Sequence, residues 1–294
     1  MIAGGGRCGG LGRQLDWLKG RAYSIGDYAP SLGDRPGVLG WNHPDEPDGA
    51  KIFPEELPHL PLSESDGRVT FLTLTSHVFE GAEPLSWARP GMYPEYIRKS
   101  EMVGLDVYPL QALCNRKRLS MIFDSQISLA RQAQGRPTFQ WIETGTMEFC
   151  PEDPSVRVTA ATVRNEFWSA IAGGAAGLGV FPAHFDASVR QELAQLTAEA
   201  AALAPALLNP TRQITTSHPD ARASIRVHNG ALYVLVVNHS FAAATSNITV
   251  PGLTNRELQT LTGKKISSQG EEVSQLELAP LEALILFSPP GGLG

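Results

Sequence analysis

The stretch Gly37-Val38-Leu39-Gly40-Trp41-Asn42-His43-Pro44-Asp45-Glu46-Pro47-Asp48 begins as an apolar segment and ends in a cluster of titratable side chains. The apolar part predicts a buried strand over Val38 to Trp41. Pro44 and Pro47 each lack a backbone donor and keep the preceding residue extended, so neither a helix nor a paired strand continues easily through the cluster. The sequence therefore predicts acidic groups that lie just beyond the end of a strand.

Strands and helices alternate from this stretch to about residue 208. Strands are predicted at Val69 to Thr75, Met102 to Val107, Thr138 to Ile142 and Leu178 to Phe181. Helices are predicted after Ser120, after Thr159, over 193–207 and, near the start, over 11–19. Such alternation is typical of a parallel sheet with crossover helices.

The pattern changes beyond Pro210, where short strands follow one another without helices between them. These strands are predicted at Ala223 to Val227, Ala231 to Val237, Asn247 to Val250 and Leu281 to Phe287. We therefore predict two domains, an α/β barrel over residues 1–208 and a small antiparallel β-sandwich over residues 211–288.

Composition excludes some classes of partner. The 294 residues carry a formal net charge of −6, which argues against binding to a nucleic-acid backbone, and no apolar run approaches the length of a membrane span. Cys8, Cys114 and Cys150 show no CxxC pairing, so reduced thiols are expected. The first residues show no signal-peptide pattern, which predicts a cytoplasmic protein, or a secreted one if the N-terminus is truncated.

Titratable side chains recur just past the ends of successive predicted strands. A single acid after a strand is most often a helix cap, but five strand ends in succession indicate a catalytic rim at the carboxyl end of a barrel. The residues at this rim are Asp45, Glu46, His77, Asp106, Tyr108, Glu143 and His184.

Two carboxylates on separate strands suit the cleavage of a glycosidic bond, in which one protonates the leaving oxygen and the other attacks the anomeric carbon or activates water. Trp87 would offer a flat apolar face to a sugar ring. Trp41 and Trp141 could do the same, or they could plug the mouth of the barrel, and the sequence leaves both readings open.

Two other functions fit the same rim. A metal-dependent hydrolase would use His43, Asp45, His77, Asp106 and His184 as ligands, although the sequence contains neither an HxH pair nor an HExxH motif. A carbohydrate-binding protein without catalysis would keep the sugar-binding surface of the barrel and lack turnover. Neither of these alternatives is excluded by the sequence.

The order of Glu46 in WNHPDEPD, then DVYP at 106–109, then QWIE at 140–143 resembles the retaining glycoside hydrolases of clan A. The resemblance covers roughly residues 36–208 and implies a TIM-type (β/α)8 barrel that needs no cofactor and no metal. It implies Glu46 as acid/base, Glu143 as nucleophile and Tyr108 as hydroxyl donor to Glu143. The other substrate-binding candidates are Trp41, Asn42, Asp45, His77, Trp87, Asp106, Gln140, Trp141 and His184.

The chain departs from the clan pattern in two ways. Asp45 stands where the clan usually has Asn, and its charge should favour the protonated form of Glu46. Counting backwards from Glu143, the chain supplies strands four to eight, with Ile2-Ala3 as a candidate third strand, so the first two strands are absent. An open barrel exposes strand edges. We therefore expect the chain to form homo-oligomers or aggregates, or to cover the gap with its own N-terminal residues.

Overall fold

A computed structural model describes the protein over most of its length. The described residues are 2–3, 23–27, 38–57, 60, 68–79, 85–89, 91–150, 153–182, 184–254 and 256–288. The helix expected over 11–19 lies outside the described residues.

The first part of the described chain is a closed barrel of parallel strands, β1 to β7 in sequence order. Their bounds are Ile2–Ala3, Tyr23–Asp27, Val38–Asn42, Val69–Thr75, Met102–Asp106, Thr138–Glu143 and Gly177–Phe181. The parallel α/β fold predicted from strand–helix alternation is confirmed.

The barrel differs from the prediction in its number of strands and in its closure. Among the described residues it has seven strands rather than six, because Tyr23–Asp27 forms a strand that the sequence analysis missed. Ile2–Ala3 pairs in parallel with both Tyr23–Asp27 and Gly177–Phe181, which closes the ring. A barrel open at its first strands was expected to form oligomers, to aggregate, or to be covered by its own N-terminal residues. In the structure, N-terminal residues complete the ring. The exposed edges on which the oligomer prediction rested are paired.

Aromatic side chains fill the inside of this narrow barrel. Phe71, Phe139 and Trp141 form a buried cluster with edge-to-face contacts at ring-centroid distances of 5.6 and 6.1 Å. Glycines on neighbouring strands make room for these rings, since a Cβ at Gly104 would lie 2.4 Å from Phe139 and one at Gly179 would lie 2.1 Å from Trp141. The interior is therefore a packed core, as expected for a barrel of this size.

Helices cover the outside of the barrel. The helices α1 to α4 span Met92–Arg98, Met121–Gln132, Ala160–Gly173 and Ala187–Leu207. Helix α1 lies between β4 and β5, where the sequence analysis predicted no helix. Helix α3 begins at a capping box between Thr159 and Thr162 and ends where Gly174 adopts φ 107°, as the sequence predicts. Among the described helices, none has the length and apolar character needed to cross a membrane.

Two antiparallel sheets follow the last helix. Strands β8 to β15 span Arg212–Ile214, Ala221–His228, Ala231–Asn238, Ala244–Thr249, Leu258–Thr260, Lys265–Ile266, Glu272–Leu278 and Ala283–Ser288. Six of these strands form one sheet and β11 pairs with β14 in the other, around a second apolar core. This arrangement agrees with the antiparallel β module expected after Pro210.

Helix α3 joins the barrel to the larger antiparallel sheet. The amide of Asn165 donates to the backbone carbonyls of Asn238 at 2.8 Å and Leu281 at 3.1 Å. Leu235, Val237 and Ile285 belong to the same apolar cluster as the barrel helices. Because these hydrogen bonds and apolar contacts are buried, the sheet supports helix α3, which lies behind β6 and carries Glu166.

Candidate active site

Alternation along the strands decides which side chains reach the mouth of the barrel. Phe139 and Trp141 point inward, whereas Gln140 binds Gln126 of α2 on the outside. The same alternation directs Glu143 inward at the end of β6 and, with Gly104 against Phe139, Asp106 inward at the end of β5. Both carboxyl groups therefore belong to the rim predicted from the sequence.

Glu46 and Asp106 form a carboxyl pair at this mouth. Their side chains are joined by a hydrogen bond, and burial together with the charges of Glu46, Asp45 and Asp48 raises the pKa of Asp106 well above its ordinary value. Asp106 Oδ1 is shielded from water and accepts no hydrogen bond from the described residues. Because two carboxylates cannot bond without a proton between them, the hydrogen-bonded pair shares one proton.

This shared proton makes stability depend on pH. With its folded pKa raised above the ordinary value of about 3.9, Asp106 binds more protons in the folded than in the unfolded state between those two values, so stability falls as pH rises through that window. We expect Asp106→Asn to remove this loss, and the difference in unfolding free energy, variant minus wild type, to grow with pH. Urea unfolding across the window measures it, and parallel pH curves for the two proteins would contradict the assignment.

Asp48 positions the segment that carries Glu46, a role that the sequence analysis did not predict. Its buried carboxylate accepts hydrogen bonds from Thr75 N at 3.1 Å and Thr75 Oγ1 at 2.6 Å, at the end of β4. Its backbone carbonyl accepts the indole N–H of Trp87 at 2.9 Å. Glu46 itself has φ 43°, a left-handed conformation. Hydrogen bonds to the end of β4 and to the loop that contains Trp87 therefore stabilise this acidic turn.

Glu143 is fully buried at the end of β6. Its two carboxylate oxygens accept the backbone N–H of Leu110 at 3.0 Å and of Gln111 at 2.5 Å, in the loop after β5. Its own backbone N–H donates to Glu166 Oε2 at 2.8 Å. Burial raises the pKa of Glu143 above its ordinary value, and the hydrogen bonds from Glu166, Gln111 and Leu110 reduce this rise without cancelling it.

Tyr108 lies near Asp106 and Glu143 but does not hydrogen-bond to Glu143 among the described contacts. Its ring stacks on Phe181 at 5.8 Å between centroids. Burial and the neighbouring charges, of which Asp106 is the strongest and Glu143 is one, raise the pKa of Tyr108 well above its ordinary value. The hydrogen bonds to Glu143 therefore come from two backbone amides and from Glu166, and not from the hydroxyl implied by the resemblance.

Three predicted substrate-binding residues are packed into the fold. Trp41 is 1% exposed and lies beneath the guanidinium of Arg68, and Trp141 donates to Thr73 Oγ1 at 3.0 Å inside the barrel. Gln140 is fully buried between β6 and α2. Of the two readings left open for the tryptophans, burial favours the packed one.

Other predicted residues lie at or near the rim. Trp87 is partly exposed, with the ammonium of Lys51 at 4.5 Å from its ring centroid. Asp45 and His184 are exposed, and His77 is partly exposed in a short helical turn after β4. Asn42 ends β3, and its buried Oδ1 accepts no hydrogen bond from the described residues.

The expectation of reduced cysteines is wrong for two of the three. Cys114 and Cys150 form a disulfide across a sequence separation of 36 residues, with Cα atoms 5.5 Å apart. Sequence spacing gave no sign of it, because the two residues meet only when the loops after β5 and β6 fold together. The bond ties the loop that binds Glu143 to the loop that follows Glu143.

Removing this disulfide should destabilise the protein strongly. For the double variant Cys114→Ser/Cys150→Ser, opening a loop of 36 residues is expected to cost about 4 kcal/mol through the entropy of the unfolded chain. Urea unfolding of the variant and of the reduced wild type measures this cost, and the two should agree. A variant as stable as the oxidised wild type would contradict the prediction.

The residues proposed for a metal centre do not come together. His43 is buried with Nε2 at 3.0 Å from the carbonyl of Lys99, away from the exposed His184. Among the described residues, no group of three or more His, Cys, Asp or Glu side chains could hold a metal ion. The described geometry therefore offers the carboxyl pairs as its reactive groups.

Comparison with known proteins identifies the class of fold. No protein-family model matches the chain, and no curated protein matches it in sequence. A GH27 β-L-arabinopyranosidase from Geobacillus stearothermophilus, in complex with arabinose, has TM-score 0.55 at 14% identity over 95% of this chain and 61% of that chain. A cyclomaltodextrinase has TM-score 0.54 at 10% identity over 88% and 46%.

The Eubacterium rectale protein Amy13B is a third such match, with TM-score 0.52 at 8% identity over 86% of this chain and 60% of that chain. This chain thus spans about three fifths or less of the length of these structures. Identities this low show the fold alone. It is a glycoside hydrolase fold, and no particular family is indicated.

Proposed function

We propose that the protein is a glycoside hydrolase that cleaves a β-glycosidic bond with retention of configuration. Glu46 acts as the acid/base and Glu143 as the nucleophile, on an oligosaccharide or glycoside bound at the barrel mouth. The observation that carries the proposal is the pairing of Glu46 with Asp106, which keeps a proton at the rim of a glycoside hydrolase fold.

The contact between Glu46 and Asp106 supports the interpretation that the two residues together supply one proton donor. It argues against the two residues being the two catalytic carboxyl groups. Retaining enzymes hold their two carboxyl groups about 5–5.5 Å apart and inverting enzymes about 6.5–9.5 Å apart. A directly hydrogen-bonded pair is closer than either spacing and leaves no room for an anomeric carbon between its members. Asp106 therefore serves to keep the proton available to Glu46, and the second catalytic carboxylate comes from elsewhere.

Glu143 is the best candidate for that second group. It points inward at the end of β6, and two strands separate β6 from β3 in a ring of seven, so the two ends face each other across the mouth. The backbone amides of Leu110 and Gln111 stabilise its ionised form, which a nucleophile requires. Each oxygen accepts one of these bonds, and with the further hydrogen bond from Glu166 the carboxylate keeps one lone pair for attack.

Burial of Glu143 favours a second candidate function. Glu143 is fully buried and two backbone amides of the loop after β5 contact its carboxylate, so catalysis requires this carboxylate to become accessible when a sugar binds. If the carboxylate stays buried, the protein binds carbohydrate without cleaving it. The partly exposed Trp87 would then supply the sugar-binding face.

A panel of aryl glycosides, assayed with and without a chelator, separates these functions. Turnover that resists the chelator supports the proposal. Saturable sugar binding without turnover supports the binding protein, and turnover lost with the chelator supports a metal-dependent hydrolase. The absence of both binding and turnover across the panel would contradict the proposed function.

A further inference from the structure

Glu166 lies behind Glu143 and has no part in the resemblance to known enzymes. It is fully buried on helix α3, and its Oε2 accepts the backbone N–H of Glu143 at 2.8 Å. The two carboxyl groups are also joined by a hydrogen bond between their side chains. Glu166 Oε1 accepts no hydrogen bond from the described residues, which leaves it able to carry a proton.

The contacts of the two groups decide which one holds that proton. Glu143 accepts two backbone amides on its carboxylate, and Glu166 accepts one. Hydrogen bonds to a carboxylate favour its charged form, whereas burial favours the neutral form. Burial and the neighbouring Glu143 raise the pKa of Glu166 well above its ordinary value. The proton therefore belongs to Glu166, and the negative charge to Glu143.

Basic groups near the pair are engaged elsewhere. Arg164, on the same helix, binds Glu192 at 2.5 Å and Glu199 at 2.7 and 2.8 Å on helix α4. His239 of the antiparallel sheet contacts Ser169 at 2.8 Å. Tyr108 also lies near Glu143, and it is not a basic group. No basic side chain of the described residues hydrogen-bonds to Glu143 or Glu166. If the shared proton left, no cation would therefore balance the second negative charge of the pair.

We propose that Glu166 is a positioning residue that, as a neutral carboxylic acid, donates a hydrogen bond to Glu143 and holds it as an oriented carboxylate. This role rests on the proposed function, in which Glu143 is the nucleophile. Glu166 touches Glu143 at both its backbone and its side chain, so it fixes the end of β6 as well as the charge.

Two variants separate this role from simple packing. Glu166→Gln keeps one donor and one acceptor in nearly the same shape, so Glu143 should stay ionised and kcat/KM should keep its acid limb. Glu166→Leu removes the donor, and the acid limb of kcat/KM should move up by at least about one pH unit, which is a tenfold loss at a pH on that limb. If the acid limb of kcat/KM lies at the same pH in Glu166→Leu and in wild type, the proposed positioning role of Glu166 is wrong.

Infrared spectroscopy tests whether Glu166 is protonated and does not depend on an assay of activity. A buried neutral carboxylic acid gives a C=O stretching band apart from the carboxylate bands. At neutral pH the wild type should show this band with contributions from both Glu166 and Asp106. The Glu166→Gln variant should lose the contribution of Glu166. The Asp106→Asn variant should lose the contribution of Asp106. Glu199→Gln, which removes the carboxyl partner of Arg164, is the control and should leave the band unchanged.

The two measurements fail independently. A Glu166 band that is lost in Glu166→Gln, in a protein with no glycosidase activity, would overturn the proposed function and keep Glu166 as the protonated partner of Glu143. A band that is unchanged in Glu166→Gln would overturn the proposal on Glu166, whatever the activity.

Discussion

Glu143→Gly should abolish the hydrolysis of aryl glycosides, with kcat reduced by at least about 10³-fold. The variant lacks the carboxylate that attacks the anomeric carbon, and the cavity left behind admits a small anion. Azide should therefore restore turnover and give a glycosyl azide of the opposite anomeric configuration to the substrate. Steady-state kinetics with and without azide, followed by NMR of the product, measure both effects.

Glu148→Gly is the matched control for this variant. Glu148 is an exposed carboxylate five residues after Glu143, in the loop that follows β6, and its φ of 63° suits glycine. Its replacement should leave kcat within about twofold of wild type, as expected for an exposed site away from the chemistry. Near-normal activity in Glu143→Gly, or loss of activity in Glu148→Gly alone, would reverse the assignment.

Glu46→Gly should lose about 10²–10⁴-fold in kcat/KM on substrates with poor leaving groups, because the general acid no longer protonates the departing oxygen. Glycine is the suitable replacement since Glu46 has φ 43°. Substrates with good leaving groups should keep a fast first step. Azide should then give the glycosyl azide with the same configuration as the substrate, because it attacks the glycosyl-enzyme from the side that Glu46 occupied.

Rates across a series of aryl glycosides measure this effect as a dependence on the pKa of the leaving group. The dependence should be steeper in Glu46→Gly than in wild type and in Glu148→Gly. Equal losses on good and poor leaving groups would indicate that Glu46 has a structural role.

The sequence was informative where a residue's role follows from its position along a strand or helix. The strand ends at Asn42, Asp106 and Glu143 lie within one residue of the predicted ends, because alternation and proline breaks mark them locally. Helix α3 could be predicted from Thr159 and the glycines at its end. The strand Tyr23–Asp27 was missed because it is short and lacks a run of apolar residues.

What escaped prediction depends on contacts between distant segments. The partners of Glu143 are two backbone amides in another loop, which have no side-chain signature. The disulfide joins two loops that only the barrel brings together. Glu166 gave one usable signal, since it is an acid on the apolar face that Val163 and Phe167 share in α3. A buried carboxyl at such a position needs a partner, and here the partner is Glu143.

The most direct test of the catalytic assignment is to trap the covalent intermediate. A 2-deoxy-2-fluoro glycoside with a good leaving group forms a slowly hydrolysed glycosyl-enzyme on the nucleophile of a retaining enzyme. Incubation with the wild-type protein, digestion and mass spectrometry locate the label. We expect one sugar per chain, attached to Glu143, with no label in Glu143→Gly. A label on Asp106 or another residue, or none at all in a protein that turns over glycosides, would contradict it.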